Sequence, residues 1–134
     1  MEGLNKKVYL AEKVFTKPKQ KYIYSTFDDQ WGGKKLKGFH YQKYDDRILG
    51  EYVRKAFDVT KMADYGKFDI RIDQSGRYFF IDTNTNPAFG PLELDCAMAY
   101  ILDLYKISFK EVLKRLMINT IRDAHGKERL PITP

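Results

Sequence analysis

The sequence predicts an α+β domain in which an antiparallel β-sheet packs against helices on one face. Residues 67–84 alternate apolar and polar side chains on both sides of a turn signal, a pattern typical of a β-hairpin. Segments 45–57 and 108–121 repeat apolar residues every three or four positions, as amphipathic helices do. The length of 134 residues favours one domain with one core.

The first third of the chain predicts two strands and a long loop. Residues 8–15 and 21–27 have strand-like composition, and Pro18 lies in the turn expected between them. Residues 28–44 contain two adjacent glycines, many charges and no steady period, which predicts a loop. Polar side chains of this loop are expected to face solvent: Asp28, Asp29 and His40.

A helix is predicted to begin at Asp45 or Asp46. The apolar residues that follow are Ile48, Leu49, Tyr52, Val53, Ala56 and Phe57. Their spacing of three and four residues places them in one stripe, which should pack on the apolar side of the hairpin.

The hairpin follows directly, and its register can be predicted from its turn. With residues 74–77 as the loop, the apolar side pairs Phe68 with Thr83, Ile70 with Ile81, and Ile72 with Phe79. The polar side then pairs Asp69 with Asp82 and Lys67 with Asn84.

Two aspartates in direct opposition need a positive neighbour. Cβ atoms of opposed residues are roughly 4.5–5.5 Å apart, a distance at which like charges are destabilising. A divalent cation would relieve the repulsion, and hard oxygen ligands suit Mg²⁺. The alternative is that Lys67 and Arg71, on the same side, neutralise Asp69 and Asp82 in an ordinary salt-bridged sheet.

Two helices are predicted after the hairpin. The first spans 94–104 and includes Cys96, which we expect to be a core residue rather than a nucleophile. The second begins at Ser108, which forms a capping-box pattern with Glu111, and ends near Gly126. The adjacent His125 is interpreted as a helix-end residue rather than a catalyst.

Short runs in and after the hairpin carry a family resemblance. They are Gly66-Lys67-Phe68-Asp69, Asp73-Gln74-Ser75-Gly76, Phe80-Ile81-Asp82-Thr83-Asn84-Thr85-Asn86-Pro87 and Lys106-Ile107-Ser108-Phe109. In this order and at these intervals they resemble the C-terminal part of ATP-grasp enzymes, in particular the D-alanine–D-alanine ligases. The resemblance extends over residues 52–123.

The resemblance implies roles for the polar side of the hairpin. Asp69, Asp82 and Asn84 match metal ligands that hold the phosphates of ATP through Mg²⁺ or Mn²⁺. Lys67 matches a catalytic arginine that stabilises charge on an acyl phosphate and on the tetrahedral intermediate. The implied activity is that of a carboxylate–amine ligase, whose small-molecule substrates include amino acids.

The resemblance also has gaps. Aspartate at 82, lysine at 67 and alanine at 88 replace the glutamate, arginine and glycine of the family pattern, and a serine that binds the substrate carboxylate is missing. These departures disfavour D-alanine as the substrate, and they leave open a noncatalytic interaction domain derived from the ATP-grasp fold. Residues 1–134 match only the C-terminal subdomain. We therefore expect the nucleotide-binding N-terminal lobe to lie elsewhere in a longer protein and this chain alone to be inactive.

Composition suggests a cytoplasmic protein. The single cysteine excludes an internal disulfide, and no run reaches the length of a membrane span.

The net charge of +6 resides entirely in residues 1–55, which carry 13 basic and 7 acidic side chains. This basic, aromatic segment could attract ATP, bind nucleic acid or simply be solvated. Nucleic-acid binding is the less favoured of these functions.

Overall fold

The computed structural model describes residues 7–16 and 38–124, with the backbone alone for 122–124. The elements in chain order are β1 (Ala11–Phe15), β2 (Phe39–Lys43), α1 (Arg47–Val59), β3 (Lys67–Ile72), β4 (Tyr78–Asn84), a 3-10 turn (Leu92–Leu94), α2 (Ala97–Leu104) and α3 (Phe109–Ala124). The predicted α+β class is confirmed. The described strands form two antiparallel two-stranded sheets, β1–β2 and β3–β4, instead of the single sheet expected.

The first sheet corrects the loop prediction for 28–44. Residues Phe39–Lys43 form β2, which pairs with β1 so that Val14 lies opposite His40. Aromatic contacts explain this strand, since the rings of Phe15 and Phe39 have centroids 6.1 Å apart. His40 is exposed, as predicted. The expected strand at 21–27, and Asp28 and Asp29, lie outside the described residues.

Helix α1 begins where the sequence predicts. Asp46 is its N-cap, because its Oδ1 accepts a hydrogen bond of 2.9 Å from the backbone N–H of Leu49. Leu49 and Phe57 are buried, whereas Ile48 is 56% exposed. The helix contacts the hairpin through Asp46 Oδ2, which accepts a 2.7 Å hydrogen bond from the hydroxyl of Tyr78.

The hairpin has the predicted register at one end only. Asp69 pairs with Asp82, Lys67 with Asn84 and Phe68 with Thr83, as expected. Beyond a bulge the pairs are Ile70–Phe80, Arg71–Phe79 and Ile72–Tyr78. The predicted pairs Ile70–Ile81 and Ile72–Phe79 are therefore wrong.

The turn explains this shift. Asp73 belongs to the turn rather than to the strand, and its Oδ1 accepts 2.9 Å hydrogen bonds from the backbone N–H groups of Ser75 and Arg77. The longer turn moves the register at the tip by one residue. A bulge between the Asp69 and Ile70 pairs restores the register where the aspartates lie.

The later helices match the predictions closely. Helix α2 begins at Ala97 rather than at Leu94, because Asp95 has a left-handed φ of 54° that separates the 3-10 turn from the helix. Helix α3 starts as expected, since Ser108 Oγ accepts a 3.1 Å hydrogen bond from the N–H of Glu111. Gly126 and His125 lie outside the described residues.

The buried apolar residues of the described ranges come from the three helices and from the residues that follow α1. They are Leu49, Phe57, Met62, Ala99, Leu102 and Val112. Along α3, by contrast, Leu113, Met117 and Ile121 are 40%, 57% and 43% exposed. No helix within 7–16 or 38–124 is both long and apolar enough to cross a membrane.

Candidate functional site

Two aspartates face each other across the β3–β4 ribbon. Asp69 and Asp82 are register partners, and both are exposed. Directly opposed residues in an antiparallel pair lie on the same face, with Cβ atoms roughly 4.5–5.5 Å apart. The ribbon thus presents two carboxylates to solvent at one place.

Lys67 lies next to this pair and already neutralises one member. Its Nζ is 2.6 Å from Oδ1 of Asp69, and the Lys67 side chain is 21% exposed. The alternative of a salt-bridged sheet is therefore partly realised, at Asp69. A cation that entered the site would share Asp69 with this ammonium group.

Asn84 continues the same side of the ribbon, opposite Lys67. Its carboxamide Oδ1 accepts a 3.0 Å hydrogen bond from the backbone N–H of Asn86. The side-chain Oδ1 of Asn86 in turn accepts a 3.0 Å hydrogen bond from the hydroxyl of Tyr65. These two hydrogen bonds connect the loop after β4 to Tyr65, which lies two residues before the start of β3.

Aromatic packing supports this loop. The rings of Tyr65 and Phe89 have centroids 5.2 Å apart, and those of Phe89 and Phe109 are 4.9 Å apart. The absence of a side chain at Gly66 leaves room for Met62, because a Cβ there would lie 2.6 Å from Met62 Sδ. Phe89 thus packs this loop against the start of α3.

Tyr41 of β2 is a neighbour that the sequence did not reveal. Burial, and then the negative charge of Asp69, raise the pKa of Tyr41 to about 12. The ring stacks on Tyr100 of α2 with centroids 6.3 Å apart. Because residues 28–44 resemble a loop in sequence, no periodic signal pointed to Tyr41.

Cys96 also lies in this region and is half-buried. Among the causes that raise the pKa of Tyr41, the electrostatic effect of Cys96 is the smallest. The expectation that Cys96 is a core residue is thus only partly met.

The oxygen atoms of Asp69, Asp82 and Asn84 suit a cation whose other ligands are water and phosphate. Among the described residues, no three His, Cys, Asp or Glu side chains form a group that could hold a metal. Two carboxylates and one amide oxygen are nevertheless typical of Mg²⁺ sites, where water and substrate phosphates complete the coordination. The arrangement therefore suits a magnesium–phosphate complex better than a permanently bound ion.

A separate cleft lies at the beginning of α1. It has a volume of about 520 Å³ and is lined by Val8, Leu10, Tyr44, Asp45, Asp46, Arg47, Gly50, Arg54 and Tyr105. None of the four residues proposed from the hairpin lines it. Cleft and hairpin are thus different surfaces.

Comparison with known proteins gives a weak but consistent match. The chain is 28% identical over 79 residues to a D-alanine–D-alanine ligase of Paraburkholderia phymatum, covering 59% of this chain and 24% of that protein. It is 29% identical over 75 residues to the D-alanine–D-alanine ligases of Burkholderia multivorans and Burkholderia ambifaria, covering 56% of this chain and 23% of each relative. The chain thus spans about a quarter of the length of the curated relatives it matches. No family model and no solved structure matches it.

Proposed function

We propose that this chain is the C-terminal, phosphate-binding part of an ATP-grasp carboxylate–amine ligase. The observation that carries the proposal is the direct pairing of Asp69 with Asp82, next to Lys67. The similarity to D-alanine–D-alanine ligases supports it independently of this geometry.

In this proposal each polar residue of the ribbon has a task. Asp69, Asp82 and Asn84 hold Mg²⁺, which neutralises phosphate oxygens when it is bound. Lys67 supplies a positive charge where negative charge develops on the transferred phosphoryl group. Because lysine is a point charge rather than a planar fork, it can stabilise such an oxygen without fixing its direction.

The reaction of the intact protein would proceed in two steps. A substrate carboxylate attacks the γ-phosphorus of ATP, the bond to the β-phosphate oxygen breaks, and ADP leaves. An amine then attacks the acyl phosphate, loses a proton and expels inorganic phosphate. The second lobe of the nucleotide site and the pockets for both substrates would come from other parts of a longer protein. Alone, this chain would bind nucleotide weakly and catalyse nothing.

Nucleotide binding by the chain itself tests the proposal. In ¹⁵N-labelled protein, MgATP should shift the amide signals of residues 67–69 and 82–84. Asp69→Asn and Asp82→Asn should each weaken this binding at least about tenfold, because each removes a metal-binding charge. Asp103→Asn, an exposed aspartate on α2, is the matched control and should bind as the unmodified chain does.

Titration with MgATP and, separately, with an oligonucleotide distinguishes the rival functions. A nucleic-acid-binding domain would bind an oligonucleotide without Mg²⁺, with strong salt dependence, and would be indifferent to Asp82→Asn. A noncatalytic interaction domain would bind neither ligand. Unchanged hairpin signals at millimolar MgATP would remove the ligase proposal.

A further inference from the structure

We infer that Tyr65 is a positioning residue whose hydroxyl, through Asn86, fixes the orientation of the Asn84 carboxamide. This inference rests on the proposed function, because the orientation of Asn84 matters only if its amide oxygen serves as a ligand. Tyr65 itself would touch neither metal nor nucleotide.

Two consecutive hydrogen bonds carry the inference. The Tyr65 hydroxyl donates to Asn86 Oδ1 at 3.0 Å, and the Asn86 backbone N–H donates to Asn84 Oδ1 at 3.0 Å. Both distances lie within the normal range for protein hydrogen bonds. A change at Tyr65 can therefore reach Asn84 through one intervening residue.

An asparagine ligand needs such a device. The terminal torsion of a carboxamide is broad and roughly two-fold, so the group can present either its oxygen or its NH₂ in a given direction. An NH₂ directed at a cation would be repelled. A backbone N–H can donate only to the oxygen, so the bond from Asn86 selects one of the two orientations of Asn84. The second lone pair of that oxygen can still accept a cation.

The hydroxyl of Tyr65 is held in place by packing that does not involve it. The Tyr65 ring contacts Phe89, and Phe89 contacts Phe109 at the beginning of α3. These ring contacts persist if the hydroxyl alone is removed. Tyr65→Phe therefore separates positioning from packing.

The adjacent glycine shows how closely the two segments approach. A Cβ on Gly66 would lie 3.4 Å from the backbone oxygen of Asn84, at the short end of ordinary van der Waals contact. The segment that carries Tyr65 thus passes directly against the end of β4. This proximity lets a side chain at 65 control one at 84.

The test uses Mn²⁺ together with ATP as the probe. Bound Mn²⁺ is paramagnetic and broadens the NMR signals of residues near it even at low occupancy. In the unmodified chain, MnATP should broaden the amide signals of Asp69, Asp82 and Asn84. Tyr65→Phe should weaken MnATP binding about tenfold, as loss of a residue that orients a metal ligand commonly does.

Tyr105→Phe is the matched control. It removes a hydroxyl that donates to the backbone oxygen of Leu10 at 2.6 Å, away from the hairpin. It should lower the melting temperature to a similar extent and leave MnATP binding unchanged. Asn86→Ala provides a second route, since it removes the acceptor for Tyr65 and should weaken binding as Tyr65→Phe does. The double variant should then bind no more weakly than either single variant.

The outcomes distinguish the inference from the proposed function. Absence of broadening at the hairpin in the unmodified chain would overturn both. If Asp69, Asp82 and Asn84 broaden but Tyr65→Phe and Asn86→Ala bind MnATP as Tyr105→Phe does, Tyr65 is merely structural and only the inference fails. If Tyr65→Phe does not fold, Asn86→Ala decides.

Discussion

Asp69 and Asp82 are arranged at a cost to the free chain. Like charges directly opposite each other destabilise a two-stranded ribbon. Lys67 forms an ion pair with Asp69, and the charge of Asp82 is left next to that pair. A residue pair that opposes stability suggests a task other than folding. Here that task would be to hold a cation.

Asp82→Asn should therefore separate stability from binding. In the absence of metal it should raise the free energy of unfolding by up to about 0.5 kcal/mol, because it removes the repulsion with Asp69. It should also abolish detectable MnATP binding. Urea unfolding with and without MnATP measures both effects, because a bound ligand raises the free energy of unfolding. A loss of stability without metal would mean that the two carboxylates do not repel each other.

Lys67→Met should have opposite effects on the free ion and on the nucleotide. The ammonium 2.6 Å from Asp69 competes with a cation, so its removal should strengthen binding of free Mn²⁺ severalfold. The same change should weaken binding of MnATP, because a charge that faces phosphate is lost. Electron paramagnetic resonance of Mn²⁺ measures both affinities. Lys110→Met, at an exposed position on α3, should alter neither, and equal effects on both ligands would contradict the role of Lys67.

At this scale the sequence predicted part of the site. The pairing of Asp69 with Asp82 followed from strand alternation, because both residues lie on the side of the bulge where the register is unchanged. The electrostatic effect of Asp69 on Tyr41 could not be predicted, since it acts between the β3–β4 and β1–β2 sheets. The roles proposed for Tyr65 and Asn86 depend on how a loop packs, and no periodic pattern in the sequence predicts that packing.

At the scale of elements, α1 and the hairpin are joined through one titratable pair. Hydrogen bonds lower the pKa of Asp46: the largest effect comes from the backbone N–H of Leu49 and the next largest from the hydroxyl of Tyr78. The hydrogen bond to Asp46, with desolvation, raises the pKa of Tyr78 to about 12. The same contact thus caps a helix and attaches it to β4.

This pair should give stability a characteristic pH dependence. Asp46 stabilises the folded state above its ordinary pKa of 3.8. This stabilisation is lost as the pH falls through the lowered pKa that Asp46 has in the folded state. Tyr78 stabilises the folded state below its ordinary pKa of 10. This stabilisation is lost as the pH rises through about 12, the pKa of Tyr78 in the folded state. Tyr78→Phe should therefore melt at a lower temperature than the unmodified chain at neutral pH, and the difference should vanish at both extremes.

Thermal melting from acid to alkaline pH measures this difference. In Tyr105→Phe, where the lost bond is to the backbone oxygen of Leu10, the deficit should persist in acid because a peptide oxygen does not titrate there. A deficit in Tyr78→Phe that also persists in acid would show that Asp46 is not its partner.

The elements also show where prediction from sequence fails. The starts of α1 and α3 were predicted because Asp46 and Ser108 act locally as caps. The hairpin tip was wrong because Asp73 forms hydrogen bonds within the turn, which extends the turn by one residue. Strand β2 was missed because its pairing with β1 is a long-range contact.

At the scale of the whole molecule, the α+β class followed from periodicity, but the division of the described strands into two sheets did not. The described core is small, and several apolar residues outside it are exposed. An exposed apolar stripe on α3 accords with the proposal that other parts of a longer protein cover this chain.

Substitutions in the core and on this stripe should differ sharply. Leu102 is 5% exposed, so Leu102→Ala should lower the free energy of unfolding by about 2–5 kcal/mol. Met117 is 57% exposed, so Met117→Gln should change the free energy of unfolding by less than about 0.5 kcal/mol. Urea unfolding measures both effects. A large loss of stability in Met117→Gln would show that the stripe packs within the chain.

Locating the metal tests the proposed site directly. Crystals of the chain grown with Mn²⁺ and a non-hydrolysable ATP analogue would reveal the ion by its anomalous scattering. We expect one manganese between Asp69 and Asp82, with phosphate oxygens completing its coordination. Manganese or triphosphate bound elsewhere, such as in the cleft at the beginning of α1, with the aspartates unoccupied, would contradict the account.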